Sequence, residues 1–243
     1  MNSKPRKNPP RAAAQRPRPN KPAPELPEKG AAPAPPPAAP GNAILMVISA
    51  PSGGGKTTVS HALLTRNPGM TRAITCTTRE PRPGERDGVD YYFLDATNFL
   101  KRVQAGNFLE HATVYGNSYG TLKSEVLGKL RQGRDVLLSV DVQGAAAIRT
   151  AAAEDPELSR ALVTVFITPP SIAILEERLR KRNQDHSSVI QKRLAYARQE
   201  IAQWRHFDYL VVSGSMSEDA RRMQAIVDAE KMRQARCAPP LAE

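Results

Sequence analysis

The chain has 243 residues, 40% of them hydrophobic, and carries a formal net charge of +11. That is material for one domain of about 200 residues beside a tail, not for several domains. The sequence shows no apolar run long enough for a membrane span or a secretory signal and no Ser-rich amphipathic transit pattern, so no membrane association and a cytoplasmic location are expected.

Residues 1–41 hold thirteen of the twenty-two prolines. They set Lys4, Arg6, Lys7, Arg11, Arg16, Arg18, Lys21 and Lys29 against Glu25 and Glu28, about half of the net charge. With few large apolar side chains, such a segment buries too little surface to offset its ordering entropy, and a disordered basic tail is predicted. Polybasic tails bind polyanions weakly and in a salt-dependent way, so no specific nucleic-acid partner is expected and the tail should be dispensable for chemistry.

From residue 42 to about 236 the pattern becomes that of one α/β domain, followed by a short tail at 237–243. The first buried strand is predicted over Ile44–Ser49, and a helix over Thr57–Arg66 follows it. Residues 72–121 then interrupt the alternation with turn-rich polar sequence, an insertion that carries a site. A helix over Leu122–Gln132 ends at Gly133 and leads into a strand over Val136–Val140. Strands over Leu162–Ile167 and Tyr209–Val212 flank a helix over Ser171–Arg182, entered through Pro169 and Pro170. A last helix runs from a capping Ser217, with Glu218 and Asp219 in its first turn, to about Arg236. Strands and helices in this order predict a parallel sheet with helices on both faces.

Between the first strand and first helix lies Ala50-Pro51-Ser52-Gly53-Gly54-Gly55-Lys56-Thr57, the order a P-loop of the nucleoside-triphosphate hydrolase type requires. Successive glycines let backbone N–H groups turn inward onto phosphate oxygens, and the helix start adds its positive end. Lys56 would meet the β and γ phosphates, and Thr57 would give its hydroxyl to Mg²⁺, whose other ligands are phosphate oxygens and waters. The first position carries Ala50 where the pattern has glycine, so it must adopt a conformation a Cβ tolerates. The cradle predicts ATP binding but is silent on what accepts the phosphate.

The acceptor is written in the insertion. Arg79 and Arg82 offer planar forks suited to a phosphate dianion. Glu110 is a carboxylate able to accept two adjacent N–H groups, the edge that guanine presents and adenine lacks. The runs Thr75-Cys76-Thr77-Thr78-Arg79, Pro81-Arg82-Pro83-Gly84-Glu85, Asp87 to Phe93, Phe108-Leu109-Glu110, Tyr119-Gly120-Thr121, Asp141-Val142-Gln143-Gly144-Ala145 and Arg178 to Arg182 together resemble the guanylate kinase family, from about Ile44 to about Val227. The resemblance implies transfer of the γ-phosphoryl of MgATP to GMP. It implies Arg79, Arg82, Tyr91 and Tyr119 on the GMP phosphate, Glu110 reading the base with Thr75 and Thr121 touching the purine, and a lid over about 178–195. There Arg178, Arg182 and Arg193 face the transferring phosphate.

Asp141, after the second buried strand, stands where open parallel sheets place ligand-binding residues, near Mg²⁺ and its waters or near the acceptor. The catalytic set expected is therefore Lys56, Arg79, Asp141, Arg178, Arg182 and Arg193. Two positions depart from the family's pattern: Ser139 replaces a second acid that helps read guanine, and Ser213 replaces an asparagine near the adenine of ATP. Base discrimination then leans on Glu110. Rival readings are a phosphopeptide-binding scaffold of the same fold, which typically has a degenerate cradle, and a sugar-phosphate kinase, which would lack Glu110 and Thr121. Cys76 and Cys237 are expected to be unpaired thiols, no His or Cys metal site is expected, and self-association is left open.

Overall fold

A computed structural model of the chain describes residues 42–114, 116–181 and 187–237. Five strands form a parallel sheet in the order β2-β7-β1-β8-β9: β1 (Leu45–Ser49), β2 (Met70–Arg72), β7 (Asp135–Ser139), β8 (Leu162–Thr168) and β9 (Tyr209–Val212). The central strand shows why these residues pair. Ile44, Met46 and Ile48 enter one core with Val59 and Leu63 of α1 (Lys56–Arg66) and with Met223, Ile226 and Val227 of α8 (Met216–Lys231). Leu45 and Val47 point the other way, to Val126 and Leu130 of α3 (Lys123–Arg131) and to Ala145 and Ile148 of α4 (Val142–Glu154). A strand covered on both faces has no polar alternation, which is why it reads as a continuous apolar run.

The predicted insertion is a second sheet in the order β4-β3-β6-β5, built from β3 (Cys76–Thr77), β4 (Tyr92–Phe93), β5 (Phe108–Val114) and β6 (Asn117–Leu122). Only β3 and β4 run parallel. Helix α2 (Ala96–Gln104), capped by the Asp95 side chain at Asn98 N, backs it, with Phe99 stacked on Phe108 at 4.6 Å. The lid expected over about 178–195 falls on the end of α6 (Ile172–Lys181) and the first half of α7 (Ser187–Ala202). Leu175 and Leu179 meet Ile190, Leu194 and Ala197 in a small core separate from the two that cover the sheet.

Several expectations need correction. The last helix is capped by Ser215, not Ser217: Ser215 Oγ accepts from Glu218 N at 3.3 Å and Glu218 Oε2 accepts from Ser215 N at 2.9 Å, a reciprocal box that satisfies two otherwise orphaned donors. That helix ends at Lys231, and Gln234–Arg236 forms a separate 3-10 turn. Helix α4 escaped the sequence reading because Gly144 to Ala147 and Ala151 to Ala153 supply small residues without a marked apolar stripe. β2, α2, α5 (Pro156–Ala161) and α7 were also unassigned. The tail predicted over 1–41, the segment 238–243 and the lid residue Arg182 lie outside the described residues.

Candidate active site

The cradle hangs between β1 and α1. Gly53 and Gly55 take φ of +84° and +100°, left-handed values that a Cβ disfavours, and Gly55 stands at the N-cap of α1. Ala50 is fully buried and fits beside Gly54, where a Cβ would meet the Ala50 methyl at 2.9 Å. The departure at the first position is thus absorbed locally. Lys56 donates from Nζ to the Ala50 carbonyl, folding its side chain back along the loop. Burial pushes its pKa down, while Glu200 and Asp141 favour the charged form. Thr57 is exposed in the first turn of α1.

Helix α6 lies against this loop from one side. A Cβ at Gly53 would lie 3.0 Å from Leu179 and 3.2 Å from Leu175, so α6 packs directly on the cradle. Arg178 directs Nη1 and Nη2 at Ser213 Oγ, 3.4 and 3.3 Å away, and that hydroxyl donates to Asp219 Oδ2 at 2.7 Å. Ser213, read from sequence only as a departure, therefore links the lid arginine to the start of α8. Arg193 on α7 lines a cleft of about 740 Å³ with Ser52, Asp141, Arg149 and Glu200. Glu200 was missed altogether. Its Oε2 accepts from Ser52 N at 3.4 Å across 148 residues of sequence, and burial raises its pKa against the pull of Lys56. No local pattern announces such a pairing.

Asp141 caps α4: Oδ1 accepts from Gly144 N at 2.8 Å, while the side chain stays exposed to the cleft. It lies just past β7, at the carboxyl ends of the parallel strands where the sequence reading put it. Gly144 is small for a reason: a Cβ there would stand 3.0 Å from Val140 Cβ, 3.4 Å from Asp141 Oδ1 and 3.5 Å from Glu110 Oε2. The start of α4 therefore touches both the cradle side and the acceptor side.

In the acceptor sheet, β5 pairs Phe108 with Leu122 but Glu110 with Thr121, a one-residue bulge at Leu109. The bulge lets three consecutive side chains bury: Phe108 against α2, Leu109 in the main core, and Glu110 beside Thr121. Thr121 Oγ1 donates to Glu110 Oε1 at 2.8 Å. Burial pushes the Glu110 carboxyl upward and that hydrogen bond partly offsets it. Glu110 is only 8% exposed, so it is not a solvated strand carboxylate.

Arg79 forms a fork with Glu85, Nη2 lying 2.9 and 3.0 Å from its two oxygens, and its guanidinium sits 5.3 Å from the Tyr91 ring centre. Glu85 first, and the Tyr119 hydroxyl after it, hold that guanidinium above its ordinary pKa. The Tyr91 and Tyr119 rings lie edge to face at 6.4 Å. Arg79, Tyr91 and Tyr119 thus form one cluster. Arg82 joins through its backbone, N to Glu85 Oε2 at 2.8 Å, with an exposed side chain. Thr75 is half-buried just before β3, its carbonyl accepting from Tyr92 N at 3.0 Å. Ser139 is exposed at the end of β7. Cys76 is a buried thiol, pushed up to about 12 by burial, and Cys237 is exposed; both are unpaired.

These features were compared with known proteins. The guanylate kinase family model matches residues 42–230. Guanylate kinase of Maricaulis maris is 42% identical over 193 residues, 79% of this chain and 86% of that protein. That of Coxiella burnetii is 47% identical over 188 residues, 77% and 88% of the two chains. The solved guanylate kinase of Anaplasma phagocytophilum shares the fold with a TM-score of 0.62 at 33% identity, over 80% of this chain and 89% of that one. The match takes in the cradle, the inserted sheet, the lid and α8 up to its last turn, and the chain belongs to the guanylate kinase family.

Proposed function

We infer that this chain transfers the γ-phosphoryl group of MgATP to GMP, giving ADP and GDP, and so serves guanine nucleotide synthesis and recycling. The observation that carries the acceptor's identity is the buried pair of Glu110 and Thr121, a carboxylate held away from solvent on the inserted sheet. Guanine offers N1–H and an exocyclic amine to such a group, whereas adenine would leave the carboxylate unpaired, and penalties of that kind support discrimination of up to ~10⁴. Arg79 with Tyr91 and Tyr119 would hold the GMP phosphate, Arg82 approaching from the following loop and Thr75 from beneath the base.

The donor would lie on residues 50–57. Backbone N–H groups and Lys56 bind its phosphates, while Arg178, Arg182 and Arg193 supply positive charge where the equatorial oxygens of the transferring group gain negative charge. Mg²⁺ would suit the exposed Thr57 hydroxyl, with phosphate oxygens and waters completing its shell, and Asp141 lines the cleft beside Ser52 of the same loop. Bound there, it would screen the repulsion between two anionic substrates. No general base is required, because a phosphate monoester with a second pKa of about 6 is already mostly dianionic at neutral pH. Closure of α6 and α7 over the cradle would exclude water and limit ATP hydrolysis.

The intact cradle speaks against a scaffold that only binds peptides. Among the described residues no helix is long and apolar enough to cross a membrane, and a cytoplasmic location fits the proposed substrates. The test is ADP release by purified chain with MgATP and each of GMP, AMP, CMP and UMP. Turnover confined to GMP and abolished by Lys56→Ala is expected. AMP used as well as GMP would remove Glu110 as the selective reader, and no acceptor-dependent turnover would move the chain to the scaffold reading.

A further inference from the structure

Phosphoryl transfer leaves a second cleft without a use. It measures about 660 Å³ and opens at the amino end of β8, bounded by α4, α5 and the turn after α8. The P-loop, Asp141 and Ser213 all lie at the opposite, carboxyl ends of the strands. Four guanidinium groups line it, those of Arg149, Arg160, Arg233 and Arg236. One carboxylate, Asp208, stands among them, and its Oδ2 already accepts from Thr164 N and Oγ1, both at 2.8 Å.

The arginines are not neutralised by what surrounds them. Glu230 serves two of them, accepting from Arg236 Nη2 at 2.8 Å and from Arg233 Nη1 at 3.4 Å, while also taking the Tyr209 hydroxyl at 2.6 Å. Arg236 is only 6% exposed, yet its Nη1 has no hydrogen-bond acceptor among the described residues. The same holds for Nη1 of Arg149, whose guanidinium rests over the Phe207 ring at 5.2 Å. Both nitrogens are buried and belong to arginines that line the cleft, and keeping them unpaired is costly, since buried cationic donors are normally paired. A phosphate group, with several acceptor oxygens and negative charge, is the partner that such forks fit.

We propose that this cleft is a second anion site, taking a small phosphate-bearing ligand outside the donor and acceptor pockets. Its volume lies in the range of small-molecule sites, so it admits an inorganic polyphosphate or a nucleotide. Arg149 lines both this cleft and the catalytic one, which puts a single residue of α4 between the two ligands.

The test uses the full chain carrying Lys56→Ala and Arg79→Ala, so that the catalytic pockets bind phosphate poorly. Calorimetric titration with inorganic pyrophosphate should show binding, and adding Arg160→Ala with Arg233→Ala should weaken it at least ~10-fold, the loss of charge-assisted hydrogen bonds. Arg160→Glu alone, at an exposed position, gives the same readout should the pair disturb folding, which a circular dichroism melt monitors. Uridine diphosphate, run in parallel, separates the sources: tighter binding than pyrophosphate assigns a nucleotide, equal or weaker binding an inorganic polyphosphate. Absence of binding, or an affinity unmoved by the Arg160 and Arg233 substitutions, overturns the proposal.

Discussion

The proposed phosphate cradle is eight consecutive residues hung between β1 and α1, whereas the proposed acceptor site draws Arg79 from the segment after β3, Tyr91 from beside β4, Glu110 from β5 and Thr121 from β6. In the first region the backbone would do most of the recognising, so its chemistry follows from a short string and the elements at either end. In the second, side chains would recognise, and they are brought together by a small sheet with one bulge between Phe108 and Glu110. A contiguous site tolerates change where its backbone is kept, as Ala50 illustrates. A dispersed site depends on each strand's register.

The largest effect that would test this contrast is expected at Lys56. Lys56→Ala should lower kcat by about 10³-fold through lost stabilisation of the transferring phosphate, while calorimetry finds GMP affinity little changed. An equal loss of GMP affinity would show that the two regions are one unit. Glu110→Gln should act on the other side, cutting kcat/KM for GMP by about 10²-fold with KM for ATP unchanged, because an amide cannot accept from both guanine donors. A loss shared equally between GMP and ATP would make Glu110 a structural residue.

The same contrast explains what could be read before any coordinates. The parallel sheet, its central strand and the cradle were legible because apolar runs, glycines and a Lys-Thr pair carry their meaning within a few residues. In the inserted segment the chemistry of Arg79, Arg82 and Glu110 suggested a phosphate and a base edge, whereas Thr75, Tyr91, Tyr119 and Thr121 were singled out only through resemblance to a family. Glu200 was not legible at all, since it meets Ser52 only when α7 folds back over the cradle; Gly144 stood in a matching run, but its reason lies in what its missing Cβ would strike. The misplaced cap on α8 has a local cause: Ser215 and Ser217 both precede acidic residues, and only the Ser215-to-Glu218 spacing closes the box.

Gly144 is where the two regions touch, and Gly144→Ala sharpens the comparison at intermediate size. The added methyl meets Val140 Cβ at 3.0 Å and crowds the oxygens of Asp141 and Glu110. Overpacking of this kind costs about 1–3 kcal/mol, read as a lower denaturation midpoint. Because α4 must shift at its first turn, kcat/KM for GMP should fall about 10-fold, the equivalent of roughly 1.4 kcal/mol in the transition state. A stability loss without any kinetic change would separate the regions after all.

The smallest expected effect is the most specific to the acceptor pocket. Burial raises the Glu110 pKa and the Thr121 hydroxyl works against that by donating to the carboxylate. Thr121→Val removes the donor, so the carboxyl should protonate at a higher pH than in the parent chain. Guanine recognition needs the carboxylate, and the acid limb of kcat/KM for GMP should therefore move upward in pH. Protonation of GMP's own phosphate, near pH 6, contributes equally to both profiles and cannot produce the difference. Nor can unfolding through this group, because a carboxyl whose pKa is higher in the folded chain than in the unfolded one favours the fold as pH falls, that contribution being lost as pH rises through the folded value. Parallel pH profiles of parent and variant with GMP decide the matter: a displaced limb ties recognition to ionised Glu110, while superimposed limbs mean that some other group sets the acid dependence and that Thr121 serves the purine alone.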